Sequence, residues 1–421
     1  MFVIFALHVN KGNMKNGYYY YSCIKKFLLF VAFICSSAII IAQKTVSAFV
    51  VDAETGMPVE LVAVVSSVDY TITNHEGEFL VKVSNDEKKI YLSHLSYNTK
   101  EVNLQQLSDT IFIEPKFYQL EEISVIPTTT SVSFLKTVWD KYNKLFEKKR
   151  ERDFPRQTFF YRQTLQNDDI YTEYLECFFS APVGTGVMTM SLHEGRYAVV
   201  YDHQMGMIMN YFRMSQLTPF RQSSVLSREE IICFLVKDFD KYYDIRLDRI
   251  LSEDEEDEVR VYEFTPRKEK LIERDIAFSG FLFIRIRDLS IVRVEANTNY
   301  IRLSGIRYIK SQSYNFTIVY KDVEGDFPMI ETIKSDTEII YFIKGEEYIM
   351  KLSSVLFSTD IKLESSGAVI SPFDNLVDNI KKLNYNQEFW DNNPIIKRSE
   401  IEQKAVSDFV RLGYFGSMKL D

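Results

Sequence analysis

The chain has 421 residues, of which 46% are hydrophobic and 14% aromatic, and its formal net charge is −9. That apolar content excludes an intrinsically disordered chain, and the length allows two or three domains with cores of their own. The acidic balance excludes nucleic acid as a partner, because phosphate backbones require a basic surface.

The first 42 residues read as a secretory signal. Lys25 and Lys26 precede an apolar run from Phe27 to Ile41, Ala42 offers a small residue for cleavage, and Gln43 would begin the mature chain. The run is short for a spanning helix, so a retained anchor is the secondary reading. Met14 is an alternative start, and Cys35 follows an Ile34 too bulky for lipoprotein processing. Residues 1–42 hold four Lys and no acid, which leaves 46 basic and 59 acidic residues beyond them, a net of −13. Export would place the protein in the periplasm or at the outer membrane. Its charge would oppose anionic lipid, leaving peripheral membrane association to a local patch. Cys177 and Cys233 sit in apolar contexts and are expected to be buried free thiols; the one disulfide they permit is the alternative.

With 26 Tyr and 32 Phe against 15 Gly and 10 Pro, the rest of the chain favours strands. Residues 44–126 give short strands at regular spacing. Phe49-Val50-Val51 begins one, Glu54-Thr55-Gly56-Met57-Pro58 is turn chemistry, and Leu61–Val65 reads as a strand buried on both faces. Asn74-His75-Glu76-Gly77 predicts a hairpin, with further strands at 79–83, 89–93 and 110–113.

The segment resembles the carboxypeptidase-D regulatory-like domain, a transthyretin-type β-sandwich that often leads envelope proteins of Bacteroidetes, TonB-dependent transporters among them. The residues that carry the resemblance are Val51-Asp52, Thr55-Gly56, Pro58-Val59, Thr73, Gly77, Phe79 and the closing Leu120, Glu122-Ile123-Ser124-Val125. Ala48, Asn74 and Ser96 depart from the pattern, where Gly, Asp and Gly are common. The resemblance implies a non-catalytic adaptor at the cell envelope, despite the family's name.

Residues 127–155 form a linker and a helix. Phe134, Leu135, Val138, Trp139, Tyr142, Leu145 and Phe146 recur on one helical face, and Pro155 ends it. Strands are then expected at 158–164, 170–175, 259–264, 281–287, 291–296, 314–320, 329–335, 338–343 and 348–359. Ser227 and Glu230 suggest a capped short helix at 231–235. The pattern is an antiparallel meander with one polar face, solvated or facing a ligand. It resembles, in strand rhythm, the half-barrel of periplasmic lipoprotein carriers, through Gly280–Ile284, Val292-Arg293-Val294 and Phe327-Pro328-Met329. The tail turns helical, with segments at 374–383 and 385–390. Ser399 and Glu402 form a capping box, Ile401, Ala405, Phe409 and Val410 share a face, and Gly413 is a stop.

The predicted fold is therefore mainly β. A signal covers 1–42, a β-sandwich 43–126, a linker and helix 127–155, a larger half-barrel-like antiparallel sheet 156–371 and a helical tail 372–421.

Four groups of residues invite chemistry. His75 and Glu78, with His193 downstream, have zinc-carboxypeptidase spacing but flank a tight turn, which argues against a periplasmic hydrolase. His193-Glu194, Asp202-His203 and Glu173 could form a small acid–base or metal site, with loop histidines as the default reading. The acids of 253–258 are contiguous and lack the Gly of a calcium loop, so a solvated loop fits better. Met205, Met207 and Met209 alternate on one strand face beside Tyr211 and Phe212, a candidate groove for an apolar or lipid-like ligand; core filling is the plainer reading. Nucleophile elbows, Walker loops and dinucleotide loops are absent from the sequence. The expectation is a non-enzymatic, exported binding or assembly module that needs no cofactor. It would carry an apolar ligand, a glycan or an envelope protein partner. A transporter-associated accessory protein of the outer membrane is the remaining alternative.

Overall fold

The computed structural model describes residues 44–116, 128–147, 155–167, 170–182, 189–199, 235, 238–251, 258–269, 276–301, 309–321, 328–343, 345–361, 367–370, 374, 376–393 and 396–415. The signal region lies outside them.

Among the described residues the first elements are seven short strands: β1 (Lys44–Asp52), β2 (Ala63–Val65), β3 (Tyr70–Ile72), β4 (Glu78–Val83), β5 (Lys89–His94), β6 (Tyr97–Asn103) and β7 (Thr110–Ile113). Alternation in β1 buries Val46, Ala48 and Val50. They pack with Val64, Phe79, Val81, Ile90, Leu92 and Ile111 between two sheets, ordered β4-β1-β7 and β3-β2-β5-β6. A two-sheet sandwich is thus present. Its Asp52 closes the first turn, accepting from the backbone N–H of Glu54 and Thr55 at 2.8 Å and from the Tyr97 hydroxyl at 2.7 Å. Those bonds, the one from Thr55 foremost, lower its pKa.

Two local expectations are corrected. The strand expected from Leu61 begins at Ala63, because Leu61 itself takes a left-handed φ of 60°. Asn74–Gly77 joins β3 in one sheet to β4 in the other, so it is a crossing between layers rather than a hairpin. The Asn74 side chain sets that crossing by accepting from the N–H of Glu76 and Glu78 at 3.0 and 2.9 Å. Gly77 is required there: its φ is +74°, and a Cβ would stand 2.4 Å from the Val50 carbonyl oxygen.

After α1 (Thr128–Glu147) come β8 (Arg156–Asn167), β9 (Ile170–Pro182), β10 (Met190–Val199), β11 (Tyr243–Leu251), β12 (Val259–Pro266), β13 (Ile276–Arg285), β14 (Ser290–Ile301), β15 (Ile309–Tyr320), β16 (Ile330–Ile343), β17 (Glu346–Thr359) and β18 (Ala368–Ile370). They form an 11-stranded antiparallel sheet ordered β11-β12-β13-β14-β15-β16-β17-β8-β9-β10-β18, open at both ends. The two strands expected at 329–335 and 338–343 are one continuous β16, paired along its length with β17. The helices α2 (Leu376–Ile380), α3 (Gln387–Asn392) and α4 (Glu400–Arg411) complete the chain.

The inner face of the large sheet is apolar and filled. Leu135, Val138 and Tyr142 of α1 share one core with Phe159, Tyr161, Leu175, Cys177, Leu282 and Ile284, with Trp139 at its margin. Cys177 is a buried free thiol. Gly195 lets α2 approach, since a Cβ there would meet Ile380 at 2.8 Å.

The outer face is polar and partly exposed along β14–β16, as the pattern predicted, but at β8, β9 and β17 it is apolar and covered, which the pattern did not predict. Phe160, Phe178 and Phe357 alternate with the inner residues and pack against Ile72 of the sandwich and Trp390 and Ile396 of the tail. Tyr70 stacks on Phe357 at 5.0 Å and donates to Glu331. Lys397 ties the tail to the sandwich through Glu78 at 2.8 Å. The capping box of α4 is present, and Gly413 follows with a φ of +70°. Its buried residues, however, are Val406 and Phe409, while Ile401 is 65% exposed. The helix turns toward Tyr174 and Ala198 on β9 and β10, and that contact decides which stripe is buried.

Candidate functional site

Met205, Met207, Met209, Tyr211 and Phe212 lie outside the described residues, as do Asp202, His203, Cys233 and residues 253–257 of the acidic run. His75 sits on the crossing turn with its side chain 57% exposed, 3.8 Å from Glu76. Glu78 turns the other way and pairs with Lys397. The spacing that suggested zinc therefore does not converge, and among the described residues no three His, Cys, Asp or Glu are grouped to hold a metal ion. The His193 ring lies 3.0 Å from the Ser180 hydroxyl. Glu173 accepts from Tyr197 at 3.0 Å and pairs along the sheet with Val199. Val199 lies six positions along β10 from His193, about 20 Å, so these two groups do not form a site.

The structure assembles a different set. A cleft of ≈ 330 Å³ opens where the sandwich, the outer face of the sheet and the tail meet. Alternation along β8 turns Arg162, Thr164 and Gln166 to this face, and β16 adds Lys334 and Asp336. Ser353 comes from β17 and Tyr171 from β9, Glu60 and His75 from sandwich loops, and Glu402 from the first turn of α4.

The charges in the cleft are tied in pairs. Lys334 reaches Glu60 at 2.6 Å and Asp336 at 3.5 Å. Burial would lower the Lys334 pKa, but Asp336 and Glu60 outweigh it and raise the value. Asp336 also accepts from Ser353 at 2.7 Å. Burial, then the charge of Glu402, pushes Tyr171 up to about 12. Both groups thus keep their protons near neutral pH.

Behind Arg162 the outer face holds a sealed ionic cluster around Glu176, which is fully buried. Its carboxylate accepts from Arg162 Nε at 2.8 Å, Arg196 Nε at 2.8 Å, Arg398 Nη2 at 3.0 Å and the Tyr174 hydroxyl at 2.9 Å. Burial alone would raise this carboxyl; Arg196, Arg398 and Arg162 reverse that and hold it well below the usual range. Arg196 is flanked by Trp390 and Phe415, with the guanidinium 4.4 and 5.0 Å from the ring centres. Arg162 also donates to the Ile396 carbonyl at 2.9 Å and approaches Glu402 at 4.0 Å, so cluster and cleft share one residue.

Sequence reasoning singled out His75 and Glu402 for other reasons and gave the remaining charged residues of the cleft and cluster no role. The available signal was a charge inside an apolar run: Arg162 after Phe159-Phe160-Tyr161, and Glu176 within Tyr174–Phe179. Such charges are buried only when paired.

No family model matches the chain, and no curated protein matches it. Among solved structures, the complex of Pseudomonas aeruginosa MucA/MucB aligns with 52% of this chain and 93% of its own at 8% identity, with a TM-score of 0.18. A crystal structure of MucB in complex with MucA(peri) aligns with 53% of this chain and 93% of its own at 7% identity, with a TM-score of 0.16. Similarity at that level carries no argument about this chain.

Proposed function

We propose that this chain is a non-catalytic binding module of the cell envelope, and that the cleft between sandwich, sheet and tail is where it binds. The carrying observation is the state of the cleft's charges. Lys334 and Arg162 are neutralised in place, and Lys334 and Tyr171 are held protonated. Glu176 and Cys177, both strongly perturbed, are sealed below the surface, whereas a catalytic acid or base must reach its substrate. A binding site needs only a formed concavity with fixed polar groups, and ≈ 330 Å³ falls in the range of about 300–1,000 Å³ typical of ligand pockets.

The basic and apolar leader of residues 25–42 supports export, and no helix among the described residues is long and apolar enough to cross a membrane. The two-sheet sandwich supports the regulatory-like resemblance of residues 44–126. An apolar cargo fits less well, because the inner face of the sheet is filled by α1.

Native mass spectrometry of protein purified from envelope fractions tests the reading. The expected result is a chain beginning at Gln43 that retains a bound species. The adduct should be lost in a Gln166→Ala/Tyr171→Ala variant that remains folded. An adduct equally retained by that variant, or no adduct and no stabilisation by any envelope extract, would overturn it.

A further inference from the structure

The chemistry of the cleft narrows the ligand. We infer that it takes a neutral, polyhydroxylated ligand, a sugar unit of an envelope glycan, and this rests on reading the cleft as the binding site.

Three observations converge. The first is an unspent hydroxyl. Thr164 is only 6% exposed and lines the cleft, yet its side chain makes no hydrogen bond among the described residues. Its oxygen is not one of the sealed unpartnered atoms of the described residues, so it opens onto the cleft, where a ligand hydroxyl can take the place of water. The second is the charge arrangement. An ionic ligand would have to break the Lys334–Glu60 or Arg162–Glu176 pair, while a neutral one leaves both intact. The paired groups keep hydrogen-bonding capacity: a carboxylate offers about four lone-pair sites and an ammonium three protons. Asp336, with one bond from Ser353 and one contact with Lys334, can still accept from hydroxyls. The third is the interleaving of surfaces. Leu61, Ile72 and Tyr171 supply apolar area next to those polar groups. A sugar ring has the matching form, with hydroxyls at its rim and C–H groups on its faces.

The rival occupants fit less well. A lipid chain needs a continuous apolar wall, which this lining interrupts with charges. An extended peptide docks by adding to a strand edge. Strands β8, β9, β16 and β17 are paired on both sides, and β3 offers only three residues of edge.

The test uses the full mature chain and an array of immobilised neutral oligosaccharides, with calorimetry on any that bind. The expected result is binding that Thr164→Val weakens about threefold to tenfold, the worth of one hydrogen bond, and that Thr164→Ser restores. Unfolding temperatures confirm that both variants are folded. Glycan binding indifferent to Thr164→Val would overturn the inference by placing the sugar elsewhere. A Thr164-sensitive adduct that is a peptide or lipid, with no glycan bound, would overturn the sugar assignment and leave the binding cleft standing. Neither adduct nor glycan binding would overturn both.

Discussion

The two faces of the large sheet are built on different physics. The inner face buries a continuous apolar core against α1, and its stability comes from removing hydrocarbon from water. The outer face gathers three arginines, two of them buried and Arg398 partly so, on one buried glutamate beneath a sandwich and a tail. There the attraction of the pairs must offset a desolvation cost of several kcal/mol per ion. An apolar face tolerates small shifts, whereas an ionic one demands that every partner be in place. The outer face also carries the cleft, so geometry that fixes Arg162 fixes one wall of the binding site.

The largest expected difference is at Glu176. Replacing it with Ala takes the carboxylate from two buried guanidinium groups and a partly buried third and should cost about 3–5 kcal/mol, read by urea unfolding. Loss of under 1 kcal/mol would mean the cluster is hydrated. The sign with pH follows from its depressed pKa. Below the ordinary value of 4.5 the unfolded chain takes up a proton that the folded chain refuses, so stability is lost as pH falls from there. Glu176→Gln should flatten that part of the profile.

Next, Leu135→Ala on α1 should cost about 2–5 kcal/mol through lost burial and a cavity. Raising the salt concentration should leave that cost unchanged, because no charge is involved. A smaller effect is expected at the tail. Ser399→Ala removes the cap of α4 and should cost about 1 kcal/mol, with proteolysis near residue 400 reporting the fraying.

A pH-dependent effect is expected at His94, where the sandwich meets Arg293 of the sheet with 3.2 Å between nitrogens. Burial first, then Arg293 and Lys116, pull its pKa down to about 3. The unfolded chain protonates near 6.5 and the folded one does not, so stability should decline as pH falls between those values. His94→Gln should remove that slope. An unchanged slope would show that another group carries it.

Much of the fold was legible. Period-two alternation located most of the strands, and Ser399 with Glu402 located the last helix. The outer face was not legible, for two reasons. In Phe159-Phe160-Tyr161 and Cys177-Phe178-Phe179 consecutive apolar residues go to opposite faces, so alternation disappears where both faces are buried. Arg398 meets Glu176 across 222 residues, a pairing that no local window contains. The cleft was missed for the same reason. Thr164, Lys334 and Glu60 are unremarkable separately and become a site only through the register of β8 with β17 and β16 and the docking of the sandwich.

The chain contains two tryptophans, and the architecture gives one to each face: Trp139 to the inner core and Trp390 to the outer cluster. Fluorescence can therefore follow the faces separately, in Trp139→Phe and Trp390→Phe variants. Residues 390–415 contribute no strand to the sheet, so the sheet can form with Arg162, Glu176 and Arg196 still in water. Only when residues 390–415 settle is that water expelled. The Trp390 signal should thus lag behind the Trp139 signal in stopped-flow refolding, and simultaneous signals would show that the two faces form in one step.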